Sequence, residues 1–153
     1  MNVLQPVTNI MTKELVTVDP KDNLSVVKEV FEKHNIHHLP VVRFKSIIGL
    51  ISSSDFNRFL HGVYLKSDKG DMLIENTRLN TWKAADIMTT KLATISSSDS
   101  IRIALEVFKT NRFHALPIVD DDELVGILTT FDVIEALNGA PINLEDYKKQ
   151  TVI

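Results

Sequence analysis

Residues 10–55 and 87–132 carry one pattern twice, offset by 77 positions and aligned without a gap. Ile10-Met11-Thr12 returns as Ile87-Met88-Thr89, Thr17 as Thr94, Phe31 as Phe108 and His37 as His114. Leu39-Pro40 returns as Leu116-Pro117, Gly49 as Gly126 and Asp55 as Asp132. Fifteen of the 46 paired positions are identical, and many others exchange one apolar residue for another. A repeat of this length is a supersecondary unit that is too small to bury a good core alone. Two copies are therefore expected to pack on each other with pseudo-twofold symmetry, leaving two related clefts.

The pattern within a copy predicts the order β-α-β-β-α, an α/β class. Leu15-Val16-Thr17-Val18 reads as a short β-branched strand closed by Asp19-Pro20, and Leu92-Ala93-Thr94-Ile95 is its counterpart. Asp22 and Asp99 are candidate helix N-caps. Leu24, Val27, Val30 and Phe31 then recur at helical spacing, as do Ile101, Ala104, Val107 and Phe108. These helices should end near Asn35 and Arg112. A hairpin follows: Leu39 to Val42 and Ile47 to Ile51 around the polar turn 43–46, repeated as Leu116 to Val119 and Leu124 to Leu128 around 120–123. The strands are apolar on both faces, so helices should cover at least part of the sheet. A second helix opens at Ser52 or Thr129. The organisation predicted is a first repeat over 1–66, a polar linker over 67–81, a second repeat over 82–140 and a tail over 141–153, with a turn at Lys69-Gly70-Asp71.

Composition excludes several function classes. A net charge of −3 gives no general reason for nucleic-acid binding. With no cysteines, disulfides and thiolate chemistry are excluded. The first ten residues have neither a basic start nor an apolar core, so they do not read as a signal peptide. No apolar run approaches the roughly 18 residues a membrane span needs. A cytoplasmic location without membrane association is expected. No nucleophile–base pair, carboxylate dyad or Gly-rich phosphate loop stands out, so catalysis is not expected. Asp120-Asp121-Asp122-Glu123 lacks the spaced ligands of a Ca²⁺ loop and reads as a solvated turn.

Two constellations carry chemistry. Ser52-Ser53-Ser54-Asp55 and Thr129-Thr130-Phe131-Asp132 each sit where a strand turns into a helix, a place whose free N–H groups attract anions. The hydroxyl can bond a phosphate oxygen, and the carboxylate one turn later can accept both hydroxyls of a ribose. The same spacing also makes a capping box, and one motif alone reads as a cap first. Ile36-His37-His38-Leu39-Pro40 and Phe113-His114-Ala115-Leu116-Pro117 place histidines just before a buried strand, where a hydrogen-bonded packing role competes with ligand binding. Histidine gains charge as pH falls past about 6.5, so these residues would favour phosphate at lower pH. His34, His37 and His38 could share a metal ion only without help from cysteine, and no metal site is expected.

These pieces, in order and twice, resemble a tandem CBS-domain pair, or Bateman module, over residues 7–138. The carriers are Ile-Met-Thr, the Thr-containing first strand, His-x-Leu-Pro-hydrophobic-Val, and Gly followed by two hydrophobic residues, Ser or Thr, and Asp three positions on. The resemblance implies a regulatory, non-catalytic module for an adenosine nucleotide, AMP, ADP or ATP, or a relative such as S-adenosylmethionine, with no cofactor required. It implies a flat homodimer and an unidentified protein target. Ser52 and Asp55, and Thr129 and Asp132, would hold phosphate and ribose. His37, His38 and His114, beside Pro40 and Pro117, would reach the phosphates, and Thr17 and Thr94 would border the adenine. Ala115 departs from the pattern opposite His38, so unequal clefts are expected. The rival reading is an interaction scaffold with vestigial clefts.

Overall fold

The computed structural model describes residues 1–61, 70–111 and 114–139. The expectations for Lys69, Arg112 and the tail 141–153 lie outside the described residues. The first repeat contains α1 (Leu24–His34), β1 (His38–Arg43), β2 (Ser46–Ser52) and α2 (Ser53–His61). Two further helices follow, α3 (Gly70–Thr81) and the short α4 (Ala84–Ile87). The second repeat contains α5 (Ile101–Asn111), β3 (Ala115–Asp120), β4 (Glu123–Thr129) and α6 (Thr130–Asn138).

The apolar spacing gives the helices their buried faces. Leu24 and Val27 of α1, and Ile101 and Ala104 of α5, are fully buried. α1 stops at Asn35, whose φ of 50° is left-handed. Asparagine tolerates that conformation better than most residues. The caps fall one residue later than the sequence suggests. Asn23 occupies the N-cap of α1, although its side chain makes no capping bond. Ser100 Oγ accepts the Ile103 amide at the start of α5. Asp22 and Asp99 serve the preceding turns instead, accepting the Asp19 and Ser96 amides at 2.8 Å.

Each repeat holds a two-stranded antiparallel hairpin, β1–β2 or β3–β4. Both turns have two central residues at positive φ: Phe44 and Lys45 in one, Asp121 and Asp122 in the other. This geometry matches strand twist but usually selects Asn or Gly. The first turn is held from outside. Lys45 carbonyl accepts the Leu124 amide at 2.9 Å, and Lys45 Nζ meets Glu123 at 3.2 Å, so the two hairpins touch. Both ladders shift register at the same place, leaving Ile48 and Val125 as the extra residues of matched bulges.

The predicted first strands are shorter than expected. Only Val18 and Ile95 pair, each as a single parallel bridge to Val41 or Ile118. The Asp19-Pro20 and Ser96-Ser97 turns end the pairing at once.

The leading segments account for the association of the repeats. Thr12 pairs with Ile127 in β4, and Thr89 pairs with Leu50 in β2, each through two backbone bonds. Each copy thus adds a bridge to the outer edge of the other copy's hairpin. Behind each bridge a methionine packs on a glycine. A Cβ on Gly126 would lie 2.6 Å from Met11 Sδ, and one on Gly49 would collide with Met88 Sδ. The absent Cβ is what lets the thioether approach. The cores follow the same exchange. Val7 is fully buried among Ile95, Ile101, Leu116 and Leu128 of the second repeat, while Ala84 is fully buried among Leu24, Leu39 and Ile51 of the first.

The expected polar linker is also structured where it is described. α3 packs against α1 and α2. Leu79 enters the first core, Lys28 pairs with Glu75 at 2.9 Å, and Arg78 donates to the carbonyls of Phe59 and Leu60 at the end of α2. The turn expected across Gly70 and Asp71 is the first turn of this helix.

Candidate functional site

Because β2 and β4 are each edged by the other repeat's leading segment, every strand-to-helix junction opens toward residues of both copies. Two clefts result. One, of about 390 Å³, has Thr129, Phe131 and Asp132 on one side and Thr12, His37 and His38 on the other. The second, of about 320 Å³, has Ser52, Ser54 and Asp55 facing Thr89, Lys91 and Ala115. His38 and His114 border both. Volumes near 300 Å³ lie at the lower end for small-molecule sites. We call them the Asp132 cleft and the Asp55 cleft.

Asp132 closes a capping box with Thr129, while Asp55 bonds the Ser52 hydroxyl that caps α2. Asp132 Oδ2 accepts the Thr129 amide and hydroxyl at 2.6 Å, and the Asp132 amide reaches Thr129 Oγ1 at 3.3 Å. Asp55 Oδ2 accepts Ser52 Oγ at 2.7 Å, and the Asp55 amide reaches that hydroxyl at 3.1 Å. Capping leaves the second oxygen of each carboxylate for other partners, and here the copies diverge. Among the described residues, Asp132 Oδ1 has only a long contact, 3.4 Å, from the Thr12 hydroxyl of the other copy. Asp55 Oδ1 receives Arg58 Nη1 at 3.2 Å. Glu135 stands at the position matching Arg58, so Asp132 has no such arginine.

The histidines meet where the clefts adjoin. The carbonyls of His37 and His114 accept the Ser53 and Thr130 amides, which fixes β1 and β3 against α2 and α6. His37 Nδ1 lies 3.4 Å from Ser53 Oγ. His38 is half-buried, and its pKa is held below the usual histidine value. Burial is the main cause; His114 and His37 add to it, and Asp55 opposes it. His38 therefore gains its charge at a lower pH than the ordinary histidine value assumed from the sequence.

Of the residues proposed from sequence, Ser52, Asp55, Thr129, Asp132, His37, His38 and His114 line the clefts. Thr17, Thr94, Pro40 and Pro117 line neither. Thr17 and Thr94 are exposed one residue before the parallel bridges. Pro40 and Pro117 are buried, and their carbonyls accept the Val18 and Ile95 amides. Sequence reasoning misses Thr12, Thr89 and Lys91 as cleft residues. The Ile-Met-Thr identity is visible in the sequence, but its attachment to the opposite repeat is not. Among the described residues, no three histidine, aspartate or glutamate side chains are grouped to hold a metal ion. No described helix is long and apolar enough to cross a membrane.

The model of the CBS domain family matches the chain twice, over residues 7–62 and 84–139. The chain belongs to the CBS-domain family. Two curated relatives are from Methanocaldococcus jannaschii. An uncharacterised protein is 26% identical over 84% of this chain, and inosine-5'-monophosphate dehydrogenase is 30% identical over 82% of it. The chain spans 46% of the first and 22% of the second, so in each the similarity covers less than half of the relative. Among solved structures, CBSX2 in complex with AMP is 25% identical with a TM-score of 0.70, covering 88% of this chain and 96% of that one. The described chain is thus a pair of CBS repeats, each a two-stranded sheet with helices.

Proposed function

We propose that this CBS pair is a regulatory, non-catalytic module that binds an adenosine nucleotide, AMP, ADP or ATP, or a related adenosine compound, in the clefts between its repeats. The observation that carries this reading is that each cleft is walled by both copies. A molecule bridging Asp132 to Thr12 and His37, or Asp55 to Thr89 and Lys91, touches both repeats at once. Its binding energy then favours one relative arrangement of the repeats, which is how binding becomes a signal. The AMP bound to CBSX2 supports the ligand class. We propose a homodimer with a protein target as the reader of that arrangement; exposed Ile134 and Leu137 on α6 offer apolar surface for pairing. We propose a cytoplasmic location, with neither nucleic acid nor membrane as partner.

The capping bonds of Asp55 and Asp132 favour a second reading, an interaction scaffold with vestigial clefts, because a cap needs no ligand. A thermal-shift panel of AMP, ADP, ATP, adenosine and S-adenosylmethionine separates the two. A ligand at 100 times its dissociation constant should stabilise the fold by about 2.7 kcal/mol. The double variant Asp55→Ala, Asp132→Ala should lose that shift. A flat panel with wild-type protein supports the scaffold, and an undiminished shift in a folded double variant removes the carboxylates from the site.

A further inference from the structure

Lys91 is the single lysine or arginine lining either cleft among the described residues, and it lines only the Asp55 cleft. It forms no ion pair with any described residue. Its counterpart in the first copy is Glu14, which does not line the Asp132 cleft. A second cation stands beside the Asp55 cleft, because Arg58 is bonded to Asp55 itself. The Asp132 cleft has no permanent cation in its wall among the described residues. Its basic groups are three histidines, and its apolar wall comes from Ile36, Ile127 and Phe131, the last 68% exposed and presenting its ring to solvent.

We propose that the two clefts sort their ligands by charge, the Asp55 cleft taking a phosphorylated nucleoside and the Asp132 cleft an uncharged nucleoside. This inference rests on the adenosine-ligand reading and adds a specificity to each site. A phosphate monoester carries nearly two negative charges above pH 7. In the Asp55 cleft those charges meet Lys91, while the nearby Asp55 carboxylate is offset by Arg58. In the Asp132 cleft they would face the Asp132 carboxylate with no lysine or arginine among the described lining residues to offset them. His38 faces His37, His114 and Asp55, and the burial that lowers its pKa also keeps it from offsetting an anion. An uncharged ribose has no such penalty there. It finds Asp132 Oδ1 engaged, among the described residues, only by the long Thr12 contact, and an aromatic face in Phe131 for stacking.

Calorimetry at pH 8 with adenosine and AMP as separate probes tests the assignment. The variants are Lys91→Gln, Asp55→Asn and Asp132→Asn, each checked by thermal melting. Lys91→Gln lies at an exposed position, so it leaves the fold intact even if an Asp variant does not. Lys91→Gln should weaken AMP by about tenfold or more, the usual effect of removing a charged hydrogen bond, and leave adenosine unchanged. Asp132→Asn should weaken adenosine and spare AMP, and Asp55→Asn should do the reverse. Equal losses for both probes in Lys91→Gln, or AMP lost in Asp132→Asn alone, would overturn the sorting while leaving the ligand reading intact. Binding of neither probe to wild-type protein would overturn both.

Discussion

His38 shows at the scale of one residue how far a motif carries. Its position before Leu-Pro is legible, and so is the asymmetry with Ala115. Its charge state is not, because its burial and the approach of His114 come from the fold. The lowered pKa has a consequence for stability. In the unfolded chain His38 titrates near the usual value of about 6.5. The folded chain takes up that proton only at lower pH. As pH falls below about 6.5 the unfolded state binds the proton first, so stability declines until the folded pKa is passed and is constant below it. His38→Gln should remove this slope. Urea unfolding at several pH values between 8 and 5 measures it, and identical slopes for wild type and variant would contradict the assignment. Asp120 acts in a separate, more acidic window. Ser97, through its hydroxyl and amide, and the Ser96 hydroxyl hold its carboxyl below the usual range. Its contribution is present above about pH 4 and is lost as pH falls through the lowered value.

At the scale of elements, the sequence is most readable where burial is periodic and least where a helix is held by a few polar contacts. α1 and α5, both hairpins, and the α2 and α6 starts follow from apolar spacing and turn chemistry. α3 does not. Leu73 and Ile74 are exposed, and Leu79 is its one buried residue among those whose side chains are described, so its residues read as a polar connector. What fixes it is tertiary: the Lys28–Glu75 pair and the Arg78 guanidinium, which covers two last-turn carbonyls of α2 and lies 5.5 Å from the Phe59 ring centre. Carbonyls at a helix C-terminus have no partner within the helix, so a cation there both bonds them and suits the dipole. The ion pair is partly exposed and contributes little. Arg78 should matter more. Arg78→Ala should cost about 1.5–3 kcal/mol, the range for hydrogen bonds to a charged group, measured by chemical denaturation. Glu75→Gln should cost less than about 1 kcal/mol. The reverse order would mean that α3 is held by the ion pair.

At the scale of the whole molecule, the question is why two copies with separate cores behave as one unit. The exchange of leading segments answers it. The second core contains Val7, with Val3, Ile10 and Met11 packed around it, although all four lie at the leading end of the first repeat. The same stretch makes backbone bonds from Val7 to Asp99, from Ile101 to Gln5, from Arg102 to Val3, and both bonds between Thr12 and Ile127. The 77-residue offset makes the duplication legible, but not this crossing. An Ile-Met-Thr lead-in reads equally well as an edge of its own repeat, and the choice depends on which glycine its methionine reaches. Removal of residues 1–12 should therefore damage the distant repeat. Losing fully buried Val7 alone should cost about 1.5–3 kcal/mol, and the freed β4 edge loses its partner. Hydrogen exchange should show accelerated amides in α5, β3 and β4, the Ile127 amide among them, with α1, β1 and β2 changed less. The clefts should part in the same way: the Asp132 cleft loses Thr12, while the Asp55 cleft keeps Thr89 and Lys91. In the truncated chain, loss of adenosine binding with AMP binding retained would follow from the crossing together with the charge sorting. Greater exchange in the first repeat than in the second would mean that the leading segment stabilises its own copy, and the reciprocal account of the pseudo-twofold would fail.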